Sequence, residues 1–162
     1  MTNETDLDQF CAALENADIS AVRALLLRDP GLAVAVLPDG WPVFLLQSVY
    51  PKAEIIDLMI EHGADPNVRN ARGEALLHLI GDTEAIRKLL SVGADINALD
   101  HQGQTPMMAH APYPDTGPDA IYTLLAEGAD SAIEGHDGET VFTLLPEGPR
   151  YDQLRRALRG KN

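Results

Sequence analysis

At 162 residues the chain has room for one domain or one short repeat array, and 45% apolar against 23% charged residues is the balance of a protein with a buried core. No stretch approaches the roughly 18 apolar residues a membrane span needs, and the N-terminal MTNETDLDQF, with three acidic residues and no apolar run, carries no legible targeting signal, so cytoplasmic residence is expected. The formal charge of −13 argues against nucleic-acid or anionic-membrane partners: residues 1–149 hold 24 acidic and 7 basic residues, and residues 150–162 hold 1 and 5, an acidic body closed by a basic tail.

In chain order, apolar spacing predicts a short helix over Phe10–Leu14 followed by an amphipathic one carrying Val22, Leu25 and Leu26. The lone Cys11 excludes an intramolecular disulfide and reads as a small apolar side chain. The same pairing recurs: Val43–Val49 with Ile56, Met59 and Ile60; Leu76–Ile80 with Ile86, Leu89 and Leu90; Met107–Ala111 with Ile121, Leu124 and Leu125; Val141–Leu145 with Leu154, Ala157 and Leu158. The second helices start 34, 30, 35 and 33 residues apart. In the tail, Arg155, Arg156 and Arg159 read as cations complementing a helix C-terminus.

Gly-Ala-Asp stands at Gly63, Gly93 and Gly128, and ten residues after each comes Gly73, Gly103 or Gly138. Glycine tolerates positive φ, so the fixed separation marks a helix end and then an extended connector closed by a tight turn. One unit is helix, turn, helix, connector, too small to bury its apolar face alone, so neighbours must stack. From Gly73 to Gly93 there are 20 residues, which shortens the turn near Gly81 and Asp82; from Gly103 to Gly128 there are 25, the excess lying in APYPDTGPD. Its prolines, Pro112, Pro114 and Pro118, predict a stiff protruding loop with Tyr113 near the tip.

Residues 100–109, DHQGQTPMMA, and 93–97, GADIN, resemble the ankyrin-repeat pattern of about 33 residues per unit. The resemblance implies an all-α solenoid forming a single domain, with units near 1–34, 35–67, 68–97, 98–132 and 133–162, the outer two degenerate. Thr105 and Pro106 match the pair that opens the first helix of a unit. His78 matches a structural histidine that Leu45, Met108 and Thr143 replace elsewhere, which implies an incomplete polar network.

Neither G-x-S-x-G nor a P-loop occurs, and no histidine pair has the spacing of a zinc hydrolase helix, so no enzyme activity, cofactor or metal is expected. His101 and His136 hold equivalent places in successive connectors, where stacking would bring them near one another. The resemblance implies a protein-binding surface made by the connector tips and first helices. Carried over position by position, it falls on Asp39, Trp41, Ala71, Arg72, Glu74, His101, Gln102, Gln104, His136, Asp137 and Glu139. Trp41, the sole tryptophan, reads equally as an interface anchor or as a cap on the first unit. The partner is a protein, with the acidic body favouring a basic one, and the chain is expected to be monomeric unless its end units pair. An acidic inhibitor or immunity protein covering a basic enzyme is the alternative function, and a small metal-dependent enzyme the third.

Overall fold

The computed structural model describes residues 4–49 and 51–159. Lys161 of the basic tail, and the outer ends of the first and fifth expected units, lie outside these. Nine α-helices are present among the described residues: α1 Glu4–Glu15, α2 Ile19–Arg28, α3 Ala53–Glu61, α4 Leu76–Leu79, α5 Thr83–Ser91, α6 Pro106–His110, α7 Gly117–Ala126, α8 Val141–Leu144 and α9 Pro149–Arg159. Two 3₁₀ segments, Pro30–Val34 and Val43–Ser48, complete the helical content.

The helices pack in two rows. Contacts run from α2 through α3, α5 and α7 to α9 on one side, and from α1 through Val43–Ser48, α4 and α6 to α8 on the other. The protein is therefore an all-α stacked solenoid. Helices of four or five residues such as α4, α6 and α8 are too short to persist alone and are held by this stacking. Between the rows lies one continuous core in which Phe10, Leu26, Phe44, Ile56, Leu76, Ile86, Ile121, Leu124 and Leu154 are fully enclosed or nearly so. Each such side chain contributes about 1.5–3 kcal/mol.

Two elements differ from expectation. Phe10–Leu14 is part of the longer α1, because Leu7 continues the apolar stripe one turn earlier and also packs on the core. Val43–Val49 forms a 3₁₀ segment ending at Ser48, not an α-helix; Pro42 precedes it and gives no side-chain cap. By contrast, Thr105 and Thr140 accept from the backbone N–H groups of Met108 and Thr143 and start α6 and α8, and Asp82 caps α5 through Ala85 at 2.8 Å.

Side chains also lace successive units together. Asn67 Nδ2 donates to Gly93 O at 3.0 Å while its Oδ1 accepts from Asp95 N at 2.7 Å, and Asn97 Oδ1 accepts from Asp130 N at 2.9 Å. Arg155, expected to cap its own helix, instead donates to Leu145 O and Pro146 O at the end of α8, and Arg159 lies 5.1 Å over the Phe142 ring. These carbonyls follow α8 and need donors from elsewhere in the fold.

The two irregular units fit one another. The link Ile80–Asp82 between α4 and α5 is short, and the loop of residues 111–116 between α6 and α7 is long. Thr116 lies so close to Gly81 that a Cβ there would come within 2.8 Å of Thr116 Cβ. Pro118 belongs not to the loop but to the first turn of α7, where proline's missing N–H costs nothing.

Gly73 and Gly103 adopt φ of +78°, and a Cβ on either would meet the next connector: 2.8 Å from the backbone N of His101 in one case, 2.9 Å from that of His136 in the other. Gly128 has φ +100° with open space around it. Gly128→Ala should therefore lose only the positive-φ preference, about 1–2 kcal/mol, whereas Gly103→Ala should lose that and the connector stacking as well. Chemical denaturation of the two variants beside the parent checks the order; equal losses would show that connectors do not press on one another.

Candidate binding groove and the repeat family

The four connectors close with the same turn. The N–H of Leu37, Asn70, Asp100 or Gly135 donates to the carbonyl four residues on, at 2.8, 3.0, 3.0 and 2.8 Å, and a glycine N–H donates back to the opening residue's carbonyl. The opening side chain fixes the rest. Asn70 Oδ1 accepts from Arg72 N and Glu74 N; Asp100 Oδ1 accepts from Gln102 N and Gln104 N, both at 2.8 Å. At Gly135 no such side chain exists, and Glu139 supplies the acceptor: its carboxylate folds into the space above Gly135, and Oε2 accepts from Asp137 N at 3.0 Å.

This geometry sorts the expected contact residues. Asp39, Glu74 and Glu139 are bound into their own turns instead of standing free. Asp39 accepts from Trp41 N, and Glu74 takes Asn70 Nδ2 at 2.6 Å and Arg72 Nε at 3.0 Å. Unsatisfied turn N–H and amide groups beside a carboxylate make that inward conformation favourable. Trp41 is half-buried and packs against the core. Instead of facing one another, His101 and His136 each lie with the ring over the glycine of the preceding connector, Gly73 or Gly103. Both histidines, Gln102 and Asp137 are exposed. Among the described residues no group of three or more His, Cys, Asp or Glu is placed to hold a metal ion.

Four of the expected residues converge. Arg72, Glu74, Gln102 and Gln104 line a groove of about 280 Å³, together with Asp100 from the same connectors. Its floor is built by α4 and α6, through His78 and His110, and its far wall by Tyr113 and Thr116 of the long loop. His101 and Ala71 line a second depression that shares Arg72, Glu74, Asp100 and Gln102 with it. Asp39, Trp41, His136, Asp137 and Glu139 line neither. Asp100, His78, His110 and Thr116 are among the groove residues that pattern reading did not place on the contact surface, and Tyr113 was read from the length of unit four as the tip of its protruding loop.

Both floor histidines are neutral. His78 Nδ1 accepts from Ala75 N, so Nε2 carries the proton and donates to Ala98 O and Gln104 O, each at 3.1 Å. Both ring nitrogens of His78 are thus bonded, and at one of the positions where the histidine is replaced Thr143 Oγ1 reproduces part of this arrangement by accepting from Thr140 N at 2.9 Å. Burial lowers the His78 pKa. His110 Nε2 donates to Leu77 O in the neighbouring α4 at 2.9 Å, and burial lowers its pKa to about 4. Burial, then the carboxylates of Glu15 and Asp8, push the Cys11 thiol pKa up.

No family model matches the chain. Curated proteins do: it is 33% identical over 102 residues to human ankyrin repeat and SOCS box protein 6, covering 57% of this chain and 24% of that one. It is 40% identical over 82 residues to a putative ankyrin repeat protein of fowlpox virus, covering 47% and 19%, and 30% identical over 118 residues to bovine NF-kappa-B inhibitor zeta, covering 67% and 16%. The chain is an ankyrin-repeat protein. It spans less than a quarter of the length of these relatives. In ankyrin-repeat terms, the groove lies where connectors two and three meet the first helices of units three and four, and the Asn67 and Asn97 bridges hold adjacent repeats in register below it. Among the described residues no helix is long and apolar enough to cross a membrane.

Proposed function

We infer that this ankyrin-repeat array is a non-enzymatic protein-interaction module that seats a segment of its partner in the groove bounded by Arg72, Gln102, Gln104 and Tyr113. One observation carries the reading: the turns that present Arg72, Gln102 and Gln104 are fixed internally by Asn70 and Asp100, so binding orders little backbone there and retains most of its contact energy. That one relative is named as an inhibitor of NF-kappa-B is in keeping with such a role. Asp39, Trp41, His101, His136, Asp137 and Glu139 belong to the outer margins of the proposed surface.

A second reading, an acidic inhibitor covering a basic enzyme, draws on the charge of −13. Affinity capture with the purified chain tests both. A Gln102→Lys, Gln104→Lys double variant should lose the partner, and a Ser20→Lys, Ala24→Lys variant on the exposed face of α2 should keep it. Equal loss in both, or in neither, removes the groove from the interaction. Retention that is insensitive to salt removes the electrostatic inhibitor.

A further inference from the structure

We propose that the groove between connectors two and three accepts an arginine side chain from the partner. This rests on the interaction reading above and names the chemistry that the groove selects. The cation of Arg72 is already paired with Glu74 at 3.0 Å, which leaves Asp100 as the uncompensated charge in the groove. Of its carboxylate, Oδ1 is taken by two turn N–H groups, and Oδ2 has no partner among the described residues.

The floor points to the same ligand. His110 is 2% exposed, lines the groove and must protonate Nε2 to donate to Leu77 O, so Nδ1 is an acceptor, and it too has no partner among the described residues. It is not among the buried unpartnered atoms, so this acceptor opens onto the groove, where a donor can reach it. Tyr113, 58% exposed on the opposite wall, offers a ring face and a hydroxyl. A guanidinium matches this set because it carries five N–H donors, has no acceptor and stacks on aromatic rings. A carboxylate or phosphate would face Asp100 and an acceptor nitrogen, and a compact ammonium has no planar face for Tyr113. The volume of about 280 Å³ admits one long side chain, and the overall charge of −13 draws a basic segment toward it.

The test titrates the full, isotopically labelled chain with acetyl-Gly-Arg-Gly-amide while amide resonances are followed by NMR. The lysine and citrulline peptides serve as the point-charge and the uncharged counterparts. Shift changes should gather at Gln102, Gln104, His110 and Tyr113, with both counterpeptides about tenfold weaker or more. Asp100→Asn should weaken the arginine peptide by about tenfold with unchanged melting, because Asn70 shows that asparagine holds this same turn. Equal binding of the citrulline or lysine peptide, changes confined to other residues, no binding, or an unaffected Asp100→Asn variant each overturns the proposal. A partner lost with the Gln102→Lys, Gln104→Lys variant but retained by Asp100→Asn rejects the arginine while leaving the interaction module standing.

Discussion

Leu124→Asp should abolish cooperative unfolding. Leu124 is fully enclosed in α7, which packs between α5 and α9. Burying a carboxylate there, or forcing it to protonate, costs several kcal/mol against a total stability of about 5–15 kcal/mol. Because each repeat is stabilised through its neighbours, the loss spreads along the array. The matched control is Leu27→Asp in α2, which stands 72% exposed and should shift stability by only about 0.5 kcal/mol or less. Circular dichroism melts of the two variants check this; a sharp transition surviving in Leu124→Asp would contradict the stacked core.

Acid should unfold the protein through His110. Its folded pKa of about 4 lies below the ordinary 6.5, so between these values the unfolded chain binds a proton that the folded one refuses. Above pH 6.5 both states are neutral and His110 contributes no pH dependence. As pH falls from 6.5 to about 4 it withdraws about 3 kcal/mol, and His78, lowered for the same reason, adds in the same direction. Denaturant midpoints measured down this range should fall steadily, and His110→Gln should flatten the slope. A flat profile in the parent would show that His110 titrates freely.

The second helix of every unit was legible because apolar residues at helical spacing leave few other folds for those segments, and the glycine pairs were legible because positive φ restricts residue choice. Other features depend on a neighbouring repeat and have no local signature. Asp100 and Asn70 look like ordinary turn residues until the structure shows which N–H groups they hold. Glu139 reads as an exposed carboxylate, yet the missing side chain at Gly135 draws it inward. His110 is unremarkable in sequence, and only the approach of α4 provides Leu77 O and encloses the ring. The groove needs two connectors, two helices and a loop together, so no single window of sequence contains it.

The match between the short link at Gly81 and the long loop ending at Thr116 bears on how such arrays diversify. Ankyrin units are commonly treated as interchangeable bricks, to be duplicated, deleted or shuffled one at a time. Units three and four here are not interchangeable in that sense: the link at Gly81 is pressed so closely by Thr116 that it has no room for even one added side-chain carbon. The two lengths form one heritable block, and recombination that preserves the groove must carry both or neither.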